Sequence, residues 1–477
     1  MNKQLVKLLA LMLAAVAFLV PALTSCEVGK ATAKLTEEQL LAMGERDRAM
    51  KLLEVGSEAM EGWDSYTEKN TMTMNLTIEG IEISMKMEGT DKVQGRKKST
   101  MMRSSVQAST MTVAGEAMQT LEKKGYQDGK MYLYKSEDGV KKVALQSPIT
   151  AKEYREFLST DNSSDTDDML MEDMKNCSVA TIRKSDGGWT VKLFGFGQSI
   201  LDEMLLKTGM GAFEEGLSME NLALKVDLTP SYTFEKMTVS ADIVYGNVKT
   251  TFSVVSEYKG IESTTVSPVD LTGYMQVHDL RVPFQFADEL DRYCYEDEGS
   301  FQVKVDANVS MYGQTENVQA VYDVTYGFQN GKYSYEMDAR EDTETYQIKY
   351  ANGTKKTYLI EGAYTQLVSN KPSTDAQQIA SINELINYTF FSVYNVKNVT
   401  AGSKPGTFVI TVEVDDTFKE SYAADSSFEC QSSTGVITAK FTDGKLTSYE
   451  FDLDLTYRMK AGNYTYTVAS TAPVTFN

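Results

Sequence analysis

Long stretches of this chain alternate apolar and polar residues with a period of two. That rhythm admits little besides antiparallel β-sheet with one wet face and one apolar face. The clearest case begins with Met72, Met74, Leu76 and Ile78, turns at Glu79-Gly80, and returns with Ile81, Ile83, Met85 and Met87. Successive side chains on a strand point to opposite faces, so all of these share one face of a long hairpin. Further strands are predicted over Ser99–Val106 and Ser109–Leu121, and Tyr126-Gln127-Asp128-Gly129-Lys130 has the Asp-Gly spelling of a tight hairpin turn.

Helices interrupt the strands at a few places. Thr36, followed three residues later by Gln39, reads as a capping box, and Leu35 with Leu40 as its hydrophobic staple. A helix is therefore predicted from Thr36 to about Trp63, with Ala49, Met50, Leu53, Met60 and Trp63 at helical spacing. Others are expected over Ile149–Leu158 and Ser199–Lys207, with an acidic loop from Asp161 to Asp168 between them. From about His278 the same order begins again. A helix ending near Tyr293 leads into strands, Tyr350-Ala351-Asn352-Gly353 mirrors Tyr126-Gln127-Asp128-Gly129, and helices follow over Thr374–Ile386 and Thr417–Ala423. The spelling fits a tandem duplication of one unit of about 200 residues, or two unrelated domains of similar element order. A chain this long also exceeds what one hydrophobic core usually serves.

The amino terminus has its own grammar. Lys3 and Lys7 precede an apolar run, Leu8 to Leu23, that is too short for a comfortable membrane span and is broken by Pro21. This is an export signal. It closes with Leu23-Thr24-Ser25-Cys26, which resembles the lipobox of bacterial lipoproteins and implies cleavage before Cys26 and lipid on its thiol. Four segments follow: signal peptide 1–25, lipidated tether 26–34, first domain 35–275 and second domain 276–477. Losing Lys3 and Lys7 leaves 45 Lys and Arg against 67 Asp and Glu, a formal charge of −22. Such a surface repels phosphate backbones, so no nucleic-acid partner is expected. The expected location is the extracytoplasmic face of the cell membrane, reached through the lipid on Cys26.

Beyond the lipobox, the order of helix, antiparallel strands and inserted helices resembles the lipoprotein-localisation family and the related mycobacterial lipid-carrying lipoproteins. The Tyr-x-Asp/Asn-Gly hairpins support the comparison. The resemblance spans nearly all of the mature chain and implies a fold class of α+β: two tandem curved antiparallel sheets, or half-barrels, each with helices packed across the concave face. It also implies carriage of a lipid or another hydrophobic molecule. One feature points the same way independently. Of 25 methionines, 19 lie between Met43 and Met237, whereas 18 of 27 tyrosines lie after Met275. Methionine repacks around irregular ligands, yet it also fills ordinary cores, and both readings stand. On the first, Met72, Met74, Leu76, Ile83, Met85 and Met87 line a hydrophobic site in the first half, and the Tyr-rich second half is a spacer or partner surface.

Catalytic chemistry finds little purchase. His278 is the one histidine, and no motif places a nucleophile beside it. Ser256-Glu257-Tyr258-Lys259 has an SxxK spelling at the end of a predicted strand rather than on a helix, and Gly195-Phe196-Gly197 is a lone GxG. The acidic loop lacks the glycine and terminal glutamate of a calcium loop, so no metal and no cofactor is expected. Cys177, Cys294 and Cys430 lie too far apart in sequence for a CxxC motif; either Cys294 pairs with Cys430 or all three are free thiols. The sequence therefore predicts a non-enzymatic binding lipoprotein. The alternative is an envelope scaffold that meets other proteins through its sheets without a small ligand.

Overall fold

The computed structural model describes residues 36–78, 81–161, 177–195, 217–245, 248–295, 298–311, 313–329, 332–341, 343–414, 416–423, 427–460 and 464–477. The signal peptide, Cys26, the tether, Leu35, the Glu79-Gly80 turn, nearly all of the acidic loop and the helix expected at Ser199–Lys207 lie outside them. The chain divides into two compact units, one reaching Tyr274 and the other running from Met275 to Asn477.

In the first unit, helices α1 (Glu37–Ala42) and α2 (Glu45–Gly62) precede β1 (Tyr66–Ile78), β2 (Ile81–Gln94), β3 (Met102–Val113), β4 (Glu116–Gln127), β5 (Lys130–Glu137) and β6 (Val140–Pro148). Helix α3 (Ala151–Asp161) leads to β7 (Ser178–Arg183), β8 (Trp189–Phe194), β9 (Leu217–Leu228), β10 (Phe234–Tyr245) and β11 (Val248–Lys259). The second unit opens with β12 (Met275–Gln276) and α4 (Arg281–Tyr295). It continues with β13 (Glu298–Met311), β14 (Gln314–Gln329), β15 (Lys332–Glu341), β16 (Glu344–Ala351), β17 (Thr354–Glu361) and β18 (Tyr364–Pro372). Helix α5 (Asp375–Ile386), β19 (Val396–Ala401), β20 (Thr407–Val412), α6 (Asp416–Ser421), β21 (Phe428–Thr442), β22 (Lys445–Met459) and β23 (Thr465–Phe476) complete it.

These elements overturn the α+β expectation. Strands hold 61% of the described residues and helices 17%, so the protein is mostly β, built on two very large antiparallel sheets. The reason lies in strand length. Strands of 12 to 16 residues pair along their whole length, and the helices are short attachments to the sheets rather than a layer of comparable extent.

Within the first unit the strands run β6-β5-β4-β3-β2-β1-β11-β10-β9-β8-β7, and within the second they run β18-β17-β16-β15-β14-β13-β23-β22-β21-β20-β19. Strand for strand, this is one order written twice. Each sheet is two meanders of local hairpins joined by a single long-range pair, β1 with β11 in the first and β13 with β23 in the second. The mirrored turns fold alike. Asp128 and Gly129 have φ of 49° and 74°, and Asn352 and Gly353 have 50° and 72°, the left-handed pair that a two-residue hairpin requires. After the next two strands Ile149 N–H donates to Gly129 O at 2.9 Å, and Ser373 N–H donates to Gly353 O at 3.0 Å. A capping box then starts each helix: Thr150 with Glu153 before α3, and Thr374 with Gln377 before α5.

Two local expectations are corrected. The single helix from Thr36 to Trp63 is two helices, because Met43 and Gly44 are extended; the Arg48 guanidinium closes the break by donating to Leu40 O and Met43 O. The Thr36–Gln39 capping box is formed, with Leu40 buried. The strands expected at Ser99–Val106 and Ser109–Leu121 are instead β3 and β4, turning at Ala114-Gly115, where both residues have positive φ.

The two cores differ in chemistry. In the first unit α2 packs across β7, β8 and β10, with Gly56 against the Phe234 ring. In the second, the fully buried Phe286 of α4 meets Phe391 and Tyr449 edge-on at 4.9 and 5.4 Å. Tyrosine hydroxyls there tie helix ends to the sheet. Tyr449 Oη donates to Ile386 O at 2.8 Å, and Tyr466 Oη donates to Tyr422 O at 2.7 Å. None of Cys177, Cys294 and Cys430 is in a disulfide, so the Cys294–Cys430 pairing does not form.

Candidate functional site

On β1 the even-numbered residues from Tyr66 to Met74 share one face. Register carries that face across the sheet. Met72 lies opposite Met87 on β2 and Val254 on β11, and the row continues through Val239, Leu224 and Leu193 to Val179. The next row holds Met85, Met74, Phe252 and Ala241. Met72, Met74, Ile83 and Met85 are 1–3% exposed, while Met87 is half-buried at the margin, where Gln107 reaches its sulfur. Leu76 is in register with Ile83. Burying each of Met72, Met74, Ile83 and Met85 contributes on the order of 1.5–3 kcal/mol, which explains why the period-two pattern fixed this register.

Toward the start of β1 the same face turns polar. Glu68 pairs in register with Asp91 on β2 and Tyr258 on β11, and Asn70 pairs with Gly89 and Ser256. One strand beyond, Arg103 binds Asp91 through two parallel contacts, Nε to Oδ1 at 3.1 Å and Nη2 to Oδ2 at 2.7 Å. Such forked pairs are rigid and satisfy a buried carboxylate. Tyr154 of α3 covers this corner, stacked on Tyr126 at 4.9 Å with planes 19° apart. Trp63, at the end of α2, closes it from the other side, 5.7 Å from Tyr66 and 5.6 Å from Tyr258 between ring centres.

Glu68 is the electrostatically unusual member. Burial, with the negative charge of Asp91 next in weight, pushes its carboxyl up to about 7, against the hydrogen bonds from Asn70 and Tyr258. Tyr258 Oη donates to Glu68 Oε1 at 3.3 Å. Burial also lifts Tyr66 and Tyr154 to about 12, which keeps both phenols protonated donors. Asn70 Oδ1 is buried without a hydrogen-bond partner among the described residues. An orphaned acceptor beside a half-ionised carboxyl costs about 1–3 kcal/mol unless something donates to it. Chemically, the corner can accept and release a proton near neutrality and can offer an acceptor to a polar group.

No protein-family model and no curated protein matches this chain. Solved structures match it weakly. A DUF1329 family protein from Desulfovibrio piger is similar over 40% of this chain and 90% of its own, at 7% identity and a TM-score of 0.16. An outer membrane lipoprotein-sorting protein domain from Vibrio parahaemolyticus is similar over 42% and 92%, at 8% identity and 0.15. An AttH protein from Nitrosomonas europaea is similar over 86% and 93%, at 6% identity and 0.13. Likeness at these scores establishes neither fold nor function.

The sequence pattern located the apolar rows but passed over the polar corner. Glu68, Asp91 and Arg103 sit at alternating positions that look like ordinary wet-face residues; the one signal was that Glu68 and Asn70 fall on the same parity as Met72 and Met74. The open groove in the second unit, about 740 Å³, is likewise not the apolar one expected. It lies on the solvent face of β13, β14, β22 and β23, lined by Asp306, Gln319, Asp452, Asp454, Ala469 and Thr471 among others. Among the described residues no cluster of His, Cys, Asp and Glu could hold a metal ion, and no helix is long and apolar enough to cross a membrane. The His278 backbone N–H donates to Val399 O, and its ring lies 6.2 Å from Phe408.

Proposed function

We propose that the chain is an extracytoplasmic lipoprotein, held to the membrane by lipid on Cys26, that binds an amphipathic molecule against the inner face of its first sheet. The observation that carries this reading is the continuity of that face. About 13 Å of one strand leads from the half-buried corner of Glu68, Asp91 and Arg103 to the methionine rows. An acyl or ring system would lie over Met72, Met74, Ile83 and Met85, displacing what covers them. A polar head carrying a donor would reach Asn70 Oδ1 and Glu68. Methionine suits such exchange because its side chain repacks at little cost. Binding rather than catalysis is the reading, because Asp91 and Arg103 are held in a forked pair and Glu68 hydrogen-bonds to Tyr258 and Asn70 rather than to a nucleophile.

A second reading, an envelope interaction module with dry cores, is favoured by the near-complete burial of Met72, Met74 and Met85 by the chain's own atoms. Native mass spectrometry of the full chain purified from membranes separates the two. A co-purified amphiphile, lost in a Met74→Asp variant that still folds, supports the binder. Bare protein mass, together with no saturable uptake of a fluorescent fatty acid, leaves only the interaction module.

A further inference from the structure

Strand β18 ends the second sheet and is bonded to β17 alone among the described residues, so its outer N–H and C=O groups form an open edge. Open edges are templates for another strand, and proteins usually blunt them. This one carries a bulge at Val368, which has no register partner on β17, and Lys371 and Pro372 at its end, yet its middle stays open. Tyr364, Leu367 and Val368 are 80%, 48% and 47% exposed, and the strand's proline, Pro372, lies at its last position.

The repeated strand order supplies a direct comparison. β6 holds the matching place in the first unit, yet Val143 to Ser147 are buried there. An extended stretch, 266–274, lies over that region. Gln127 exchanges two hydrogen bonds of 2.7 Å with the Val269 backbone, Gln146 donates to Tyr274 O, and the Tyr274 ring packs on Tyr132 and Tyr134. Among the described residues nothing equivalent covers β18.

Charge indicates what does. Lys355 stands opposite Lys371 across β17 and β18, and Lys356 stands opposite Lys349 across β17 and β16. Like charges directly opposed on a sheet are destabilising. Lys349 has Glu336 at 2.7 Å, but no carboxylate among the described residues pairs with Lys355, Lys356 or Lys371. Burial and the neighbouring Lys371 hold the Lys355 ammonium below its usual range, as expected of a cation lacking its anion. This basic corner lies on a chain of net charge −20.

We propose that the edge of β18 is a docking site for an extended acidic strand of a partner protein, which pairs with the β18 backbone and sets its carboxylates against Lys355 and Lys371. The exposed Leu367 and Val368 would pack with alternate apolar side chains of that strand, giving main-chain affinity with side-chain selectivity.

The test uses the full chain and two synthetic peptides of about eight residues that alternate Val and Thr, one with two Glu at one end and one with two Lys there. The expected result is saturable binding of the Glu peptide, at least tenfold tighter than the Lys peptide, with amide exchange slowed across 364–371. The double variant K355E/K371E should reverse that preference. V368P should abolish binding with an unchanged circular dichroism spectrum, since proline is tolerated on an edge but cannot donate to a ladder. Equal binding of both peptides, no binding of either, or insensitivity to V368P overturns the proposal. So does self-association through β18 in light scattering, which would make a second copy the occupant, or V368P-sensitive binding to phosphatidylglycerol vesicles in place of peptide.

Discussion

Tyr258 and Glu68 face each other across the β11–β1 pair, and the phenol of one donates to the carboxylate of the other at 3.3 Å. The contact sits where the apolar face of the first sheet becomes polar. It explains why a carboxyl can be kept there at all: the hydroxyl replaces part of the water that burial removed.

The first prediction concerns pH. Glu68 titrates near 7 when folded and near 4.5 when unfolded, so the native state binds the extra proton between those values. Stability from this group is fully present below about 4.5 and is lost as pH rises to about 7, in total on the order of 1–3 kcal/mol. Glu68→Gln should therefore flatten the stability profile over that window and raise stability at pH 8. Urea denaturation at pH 5 and pH 8 measures it; an unchanged slope in the variant would rule out Glu68 as the source.

Gly56 makes the second. A Cβ placed there would lie 2.1 Å from the Phe234 ring, so α2 docks on the sheet only because this position has no side chain. Gly56→Ala should cost about 1–3 kcal/mol through overpacking despite the better helix propensity of alanine. In a double-mutant cycle with Phe234→Leu the two costs should fall short of additive. Full additivity would mean that the ring does not set the helix position.

The third uses the repeated turns. Gly129→Ala and Gly353→Ala each force a Cβ into a left-handed conformation, at about 1–2 kcal/mol. Because the two turns share the same carbonyl contact to the residue before a capped helix, the losses should agree within about 0.5 kcal/mol. Thermal melts of the two variants decide this, and strongly unequal losses would show that the turns do not carry equal loads.

The fourth addresses the amino terminus. Cys26→Ala removes the thiol proposed to carry the lipid, and on that proposal the protein should shift from the membrane fraction to the soluble fraction on cell lysis. Undiminished membrane retention would refute the anchor.

Parity along the strands and short-range spelling suffice for the methionine rows, the two Gly turns and the capped helices, because each depends on residues within a few positions of one another. The α+β expectation fails for a related reason: helical signals are as conspicuous in sequence as strand signals, but they do not report how far a sheet extends. Whether Thr36 to Trp63 is one helix or two turns on the Arg48 guanidinium reaching back to Leu40 and Met43, which periodicity does not record.

What the sequence determined by itself was local: the period-two faces, the left-handed turns and the caps. What only tertiary structure decided was which faces meet. The closure of β11 onto β1 brings Tyr258 to Glu68 over 190 residues of chain, beside the Arg103–Asp91 pair that the local β2–β3 hairpin supplies. The physical reason is that a strand's own pattern specifies which side is buried but not its neighbour; pairing partners are chosen by the summed fit of whole rows, a property no single segment carries.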